Sequence, residues 1–428
     1  SRAGSGGPAR NNGKALMSEQ AVQRITTAIL TLAAAVLAGV LLAGVLDGRL
    51  APRSGPGSVR GSQSAGSSRG DPAADAQSGA ADAPLFNDGG EEGLLVLADN
   101  RTRLVNVSLP SGEVTASVRL PAAARSVVTT PGGVSAWITF EDRTAMEVYT
   151  TGDLTHEATV TPEGAESDAP AHLTFNENGD TLFVTWAQRE AVSVYRHDMR
   201  ELSLLRQFST EETRGPVLRD RRATRVYRLD RDGTVISFFA RNGERLDTHE
   251  GIAFAAETSP AFDPAFAALW GADTDGQAAG LDIRSGAVNR LEDTATEEKE
   301  NAVTTDMPPV FVEQSGRAIF ATAERDGILL VSVDPPEGAV VEGQVKLSDL
   351  SEVTGNRITA LAEAGNGAVL LVTDDGELVL VNGRTTELHS VTSLHQQAGG
   401  PEGSIGAEDG ITRAVAWQVQ EEGNFACF

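Results

Sequence analysis

Short runs of β-prone residues follow one another along the chain from residue 90 onward, and Gly, Asn, Asp and Pro turns separate them. Residues 94–97, 104–107 and 114–118 form one such set, with turns at Asn100 and Gly112. No long segment in this region has the 3.6-residue periodicity of an amphipathic helix. The pattern therefore predicts an all-β domain over residues 86–428.

The set of strands recurs with a spacing of about 40–50 residues, which is the period of one β-propeller blade. The last turn of each unit falls at Gly112, Gly152, near Met199, and at Gly243, Gly286, Gly338 and Gly383. This count predicts seven blades. Six or eight blades remain open, because the sequence does not define the blade boundaries sharply. The first unit lacks an inner strand, and residues 412–419 supply one that closes the ring and leaves no open sheet edge.

One blade resembles a known repeat. Residues 176–185 (NENGDTLFVT), followed by residues 191–195 (AVSVY), are similar to the repeat of YVTN-type and lactonase-like propellers. The resemblance covers most of residues 90–428 and implies the fold. Lactonase-like members are expected to gather an Arg, a His and acidic residues at the channel mouth, but the sequence does not place such residues.

A second kind of pattern precedes the propeller. Residues 25–46 contain no charged side chain, and at 1.5 Å per residue they form a helix of about 33 Å, long enough to cross a membrane. A cleaved signal peptide is the alternative, although its apolar region is usually shorter. Small residues recur every fourth position in this segment, which predicts a face for packing against another helix: Thr31, Ala35, Gly39 and Ala43.

The flanks of the predicted helix complete the domain organisation. Residues 1–24 are predicted to be a disordered cytoplasmic N-terminus, and residues 47–85 a flexible Gly/Ser/Ala/Pro linker with a mean span of about 35 Å. Positive charges are balanced on the two sides of the helix, so the positive-inside rule does not fix the orientation. We expect a single-pass cell-membrane protein with its C-terminal domain on the periplasmic or extracellular side.

Charge and cysteine content narrow the possible functions. A net charge of −25 would repel the phosphate backbone of nucleic acid, so nucleic acid is not an expected partner. The single cysteine, Cys427, excludes an intramolecular disulfide, a CxxC redox pair and a thiolate zinc site.

The sequence contains no motif of a catalytic, cofactor or metal site. Its six histidines are scattered and form no HxH or HxxxH pair: His156, His172, His197, His249, His389 and His395. Three Asp-Gly segments resemble the start of a calcium loop but are predicted to be hairpin turns: 230–233, 273–276 and 374–376. No P-loop, nucleophile elbow or dinucleotide fingerprint is present.

An excess of arginine in the predicted fourth blade is the most uneven charge in this acidic chain. Its members are Arg214, Arg219, Arg221, Arg222, Arg225, Arg228, Arg231 and Arg241. Because arginine binds carboxylate and phosphate through two parallel hydrogen bonds, a docking site for an acidic partner or for lipid headgroups is predicted. Its proposed members are Arg219, Arg221, Arg222, Arg225 and Arg228, and the alternative is that neighbouring acids neutralise them.

These patterns favour a non-enzymatic scaffold or accessory subunit that binds and stabilises a larger respiratory, photosynthetic or envelope membrane complex. A lactonase-like extracytoplasmic hydrolase and a ligand-binding sensor are the alternatives. A cluster of His, Arg and acids at one channel mouth would favour the hydrolase. An apolar, enclosed channel would favour the sensor.

Overall fold

A computed structural model describes residues 85–86, 91–165, 167–198, 201–220, 222–255, 258–263, 267–292, 303–312, 316–334, 338–364, 367–394 and 413–418. Within these ranges, 28 strands form seven four-stranded antiparallel sheets. The predicted seven-bladed, all-β propeller is therefore confirmed. No helix among the described residues is long and apolar enough to cross a membrane. The predicted helix 25–46 and its stripe Thr31, Ala35, Gly39 and Ala43 lie outside the described residues.

In each blade, four strands follow one another from the innermost to the outermost. Blade 1 contains β28 (Arg413–Gln418), β1 (Glu92–Ala98), β2 (Arg103–Ser108) and β3 (Val114–Arg119). Blade 2 contains β4 (Ala124–Thr129), β5 (Ser135–Phe140), β6 (Met146–Thr150) and β7 (His156–Val160). Blade 3 contains β8 (Pro170–Phe175), β9 (Thr181–Trp186), β10 (Ala191–Asp198) and β11 (Glu201–Ser209).

The remaining four blades have the same strand order. Blade 4 contains β12 (Thr213–Arg219), β13 (Arg225–Asp230), β14 (Thr234–Phe239) and β15 (Arg245–Ala253). Blade 5 contains β16 (Ala261–Asp263), β17 (Ala268–Ala272), β18 (Ala278–Asp282) and β19 (Val288–Arg290). Blade 6 contains β20 (Val310–Val312), β21 (Arg317–Ala321), β22 (Gly327–Asp334) and β23 (Gly338–Lys346). Blade 7 contains β24 (Ile358–Ala364), β25 (Ala368–Thr373), β26 (Glu377–Asn382) and β27 (Leu388–Ser393), and a 3₁₀ turn (Leu347–Asp349) precedes it.

The ring closes in blade 1, where the strand nearest the C-terminus pairs with the first strand. β28 is antiparallel to β1, with Val96 opposite Ala414. The strand predicted over residues 412–419 is confirmed, and it covers the edge that β1 would otherwise expose.

Both faces of each sheet are buried between neighbouring blades. Leu94 and Val96 pack against residues of blade 7, whereas Leu95 and Leu97 pack against residues of blade 2. Among the described residues, apolar side chains also fill the five other boundaries between neighbouring blades. The apolar clusters therefore follow the ring from blade to blade. This two-sided burial explains why middle strands such as β1 and β25 are continuous apolar runs, whereas outer strands such as β11 alternate.

The alternation of strand direction fixes which loops meet at each end of the central channel. The inner strand of each blade starts at the end where the turn between its second and third strands lies. We call this the top end and the opposite one the bottom end. Inner strands pack side by side around the axis, including β4 with β8 and β8 with β12.

Candidate functional site

The arginines predicted to form one docking site are divided between the two ends of blade 4. β12 and β13 run antiparallel, with Arg219 opposite Val226. Arg219 therefore lies at the bottom end, as do the exposed Arg222 and Arg225. Arg221 lies outside the described residues. Of the proposed set, only Arg228 lies towards the top end among the residues that the structure describes.

At the top end, a cavity of about 340 Å³ opens between blades 2, 3 and 4. Its walls are the starts of β4, β8 and β12 and the turns that follow β9 and β13. Five arginines line it, and we call them the arginine mouth: Arg125, Arg189, Arg214, Arg228 and Arg231. Among the described residues that line the cavity, Glu190 carries the single carboxylate.

Arg228 is the buried member of the arginine mouth, with 2% of its surface exposed. One terminal nitrogen donates to the carbonyl oxygen of Gly215 over 3.1 Å, and the other donates to Thr210 Oγ1. Its Nε donates to no acceptor among the described residues, and no carboxylate among them forms an ion pair with it. A buried charge without a counter-ion is strongly unfavourable, so this position is suited to receive an anion.

The electrostatics of the cavity base favour an oxyanion. Burial lowers the pKa of Arg228 to about 10, and the negative charge of Glu190 opposes that shift. The guanidinium therefore keeps its positive charge at neutral pH. Thr185, which is also buried, lines the same cavity, and its Oγ1 forms no hydrogen bond with the part of the chain that the structure describes. A cation and a hydroxyl group without a partner among the described residues thus border the same cavity.

Arg189 is held in place by the buried carboxylate of Asp168. Asp168 Oδ2 accepts hydrogen bonds from the backbone nitrogen and the Nε of Arg189, both over 3.0 Å. Its Oδ1 accepts a third from the backbone nitrogen of Gln188 over 2.9 Å. The guanidinium lies 4.0 Å from the ring centre of Trp186, a cation–π contact. Asp168 therefore fixes both the turn after β9 and the direction of Arg189.

Glu190 forms the rim on the opposite side of the same turn. Its carboxylate accepts hydrogen bonds from the backbone nitrogen of Glu212 over 2.9 Å and from Arg231 over 3.2 Å. These two bonds, in that order, lower the pKa of Glu190, and Arg214 adds to the effect. Arg214 forms no ion pair within the described ranges. The mouth thus keeps a positive excess although Glu190 is ionised.

The described histidines do not lie together in one site. His172, on β8, lines the cavity opposite Thr185. His156 contacts Glu147 over 2.6 Å on the outer strands of blade 2, and His197 packs against Trp137. His395 lies outside the described residues. Within the described ranges, no three His, Cys, Asp or Glu residues are grouped so as to hold a metal ion.

The three Asp-Gly segments are turns, as predicted. Asp230 Oδ1 accepts hydrogen bonds from the backbone nitrogens of Asp232 and Thr234, and Gly233 adopts a φ of 87°. The turn at residue 273 is built in the same way, and the turn at residue 374 also contains a glycine with positive φ. A side-chain oxygen that caps its own turn explains the acidic residue without a calcium ion.

Arg125 and Arg189 were not predicted as site residues. They lie in blades 2 and 3, and no local charge excess marks them in the sequence. Their common feature is position, because one is at the start of an inner strand and the other is in a turn after a second strand. Aligning the blades and asking which polar residues occupy these two positions would have found them.

Comparisons with known proteins identify the fold. No protein-family model matches the chain, and no curated protein sequence is similar to it. The structure of apo AztD from Citrobacter koseri is similar with a TM-score of 0.53 and 8% identity, covering 77% of this chain and 98% of that one. The structure of dihydro-heme d1 dehydrogenase NirN in complex with DHE has a TM-score of 0.50 and 10% identity, covering 70% and 72% of the two chains.

At such low identity these similarities concern the fold and not the activity. The resemblance of blade 3 to the YVTN-type repeat stays a prediction. Together with the seven four-stranded sheets, the comparisons show that the described residues between 91 and 418 form a seven-bladed β-propeller.

Proposed function

We propose that this protein is a non-enzymatic binding protein whose propeller recognises an anionic group at the arginine mouth. The observation that supports this function is the buried guanidinium of Arg228, which has no carboxylate partner among the described residues. Folding a charge into such a position is costly, and a bound anion would offset that cost. Arg228 therefore belongs to a site that is complete only with a ligand.

The charge of the surroundings supports the same function. The chain as a whole carries a net charge of −25, yet among the described residues five arginines and one carboxylate line this cavity. A concave positive surface on a negative protein focuses the electric field, so it concentrates anions at the mouth while the rest of the surface repels them. The polar lining differs from the apolar, enclosed channel that would favour a sensor.

We also propose that the propeller lies next to a membrane. The predicted helix 25–46 and the linker 47–85 would hold the propeller at the outer face of a membrane. A scaffold or accessory subunit held there would bind a larger membrane complex, while the mouth holds an anionic ligand. Solubilising membranes in mild detergent and identifying co-migrating proteins by mass spectrometry tests this role, and migration as a lone chain would contradict it.

Anion binding is tested with the full chain in detergent. We expect the melting temperature to rise with sulfate and to saturate, relative to chloride at the same ionic strength, because a ligand that binds the folded state stabilises it. Arg228→Met should abolish the rise. The matched control Arg222→Met removes an exposed arginine at the bottom end of the same blade and should preserve it.

Two results would overturn the proposal: no saturable rise in the unmodified protein, or an equal rise in Arg228→Met. If Arg228→Met does not fold, Thr185→Val replaces a second group at the cavity base with a side chain of the same shape. The same loss of the sulfate effect is expected for that variant.

A lactonase-like hydrolase is a second candidate, because His172, Glu190 and the arginines meet at one mouth. This arrangement contains the residue types expected of a hydrolase. However, Glu190 and Asp168 already bond Arg231 and Arg189, which is a positioning role. Release of acid from a panel of lactones, abolished by His172→Ala, would establish the hydrolase. No turnover with any lactone would contradict it.

A further inference from the structure

We infer that the ligand of the arginine mouth is a small polycarboxylate, a molecule with two or three carboxylate groups held at two depths of the cavity. This inference rests on the proposed function, because it names the class of anion that the site takes. The two depths are the buried base at Arg228 and the exposed rim at Arg214 and Arg231.

The positive groups differ sharply in exposure. Arg228 is 2% exposed, whereas the side chain of Arg231 is 63% exposed and Arg214 is also at the surface. Arg231 follows Arg228 by three residues, which corresponds to about 10 Å along an extended strand. This is the spacing of their Cα atoms, and the difference in exposure places one guanidinium at the base and the other at the rim. A ligand with negative charges at both of its ends would contact both.

The chemistry of the guanidinium group favours carboxylates. A guanidinium pairs with a carboxylate through two parallel N–H···O bonds in one plane, so arginines at two depths suit a ligand with more than one carboxylate. The arginines come from three different blades and line one cavity. A single tetrahedral anion would satisfy the base and leave the rim unused.

The size of the cavity limits the ligand. A volume of about 340 Å³ lies near the lower limit of about 300 Å³ for small-molecule pockets. Ala171, Ala187 and Gly215 line it and leave room for a short carbon chain between the charged groups. A small molecule of this kind fits a cavity of this volume.

The rim already contains a carboxylate that competes with the ligand for Arg231. The Glu190 carboxylate already accepts a hydrogen bond from Arg231, as a ligand carboxylate would. A single carboxylate from solution competes with Glu190 at the rim and gains little. A polycarboxylate that is held at the base presents its second group at high effective concentration, so it competes successfully.

The test measures the affinity of the full chain for four anions by calorimetry at constant pH and ionic strength: acetate, succinate, citrate and inorganic phosphate. We expect citrate to bind at least about tenfold more tightly than acetate, since a second charged hydrogen bond contributes at least that factor. The double variant Arg214→Met/Arg231→Met should reduce citrate affinity to the level of acetate. It should weaken acetate binding at the base much less than citrate binding, and Arg222→Met should change neither.

The other possible outcomes contradict either the polycarboxylate assignment or anion binding itself. Acetate binding as tightly as citrate, phosphate binding more tightly than citrate, or citrate binding unaffected by the rim variant would overturn the polycarboxylate assignment while anion binding itself stands. Failure of all four anions to bind would instead overturn the proposed function. Because both rim arginines are exposed, their replacement should not prevent folding.

Discussion

Glu190 of blade 3 and Arg231 of blade 4 form an ion pair of 3.2 Å across the boundary between the two blades. Both belong to turns at the top end, where they border the cavity. The pair is largely exposed, so it contributes little to stability. Its consequence is electrostatic, because Glu190 is the carboxylate that lines the place an anionic ligand would occupy.

Replacing Glu190 with Gln should strengthen anion binding. The substitution keeps the shape and a hydrogen-bond acceptor but removes the competing negative charge, and the removal of one exposed charge is expected to tighten citrate binding about two- to fivefold. Calorimetry measures the change. Glu244→Gln, at an exposed position at the bottom end of blade 4, is the control and should leave the affinity unaltered. Weaker binding by Glu190→Gln would show that Glu190 contacts the ligand favourably.

Replacing Asp168 with Asn should destabilise the propeller. Asp168 is 4% exposed and accepts three hydrogen bonds from Gln188 and Arg189, so the loss of its charge leaves the Arg189 guanidinium without its counter-ion. We expect a loss of about 3 kcal/mol in the free energy of unfolding, measured by urea denaturation. Asp232→Asn, in an exposed turn, should change stability by less than about 0.5 kcal/mol. Equal stability of the two variants would contradict the role of Asp168.

Truncation tests the closure of the ring. Deleting residues 413–428 removes β28 and exposes the edge of β1, whose residues Leu94 and Leu95 are fully buried in the closed propeller. An exposed apolar edge strand promotes aggregation, so we expect this protein to be recovered mainly in aggregates, as measured by size-exclusion chromatography. Deleting residues 419–428 retains β28 and should give a protein that elutes like the full chain. Identical elution of both truncated proteins would contradict the closure.

Stability should fall on mild acidification because of His249, on the outer strand β15. Burial lowers the pKa of His249 below its usual value of 6.5; Asp247 opposes the shift, and Arg225 adds to it. The unfolded chain takes up a proton at a higher pH than the folded protein does. The free energy of unfolding therefore decreases as the pH falls below 6.5.

This decrease should be smaller in His249→Gln, measured by urea denaturation at about pH 7.5 and about pH 5. The exposed His389→Gln is the matched control and should retain the pH dependence of the unmodified protein. The same slope in all three proteins would show that His249 does not contribute.

The blade count was predictable because the information is local. Each hairpin carries its own signals, such as glycines with positive φ at Gly243 and Gly286 and β-prone runs on both sides of the turn. The order of strands in a blade follows from their order in the chain. The missing inner strand ahead of Leu94 even indicated which distant segment had to close the ring.

The sequence by itself determined the all-β fold, the seven-fold repeat and the closing strand, because turns and strand propensities act over a few residues. Only the tertiary structure decided which residues form the candidate anion site. Both faces of the middle strands are buried, so the pattern of β13 does not reveal that Arg228 lines a cavity rather than facing solvent. Arg125, Arg189 and Arg228 belong to three blades and are far apart in the chain, and the packing of inner strands around one axis brings them together.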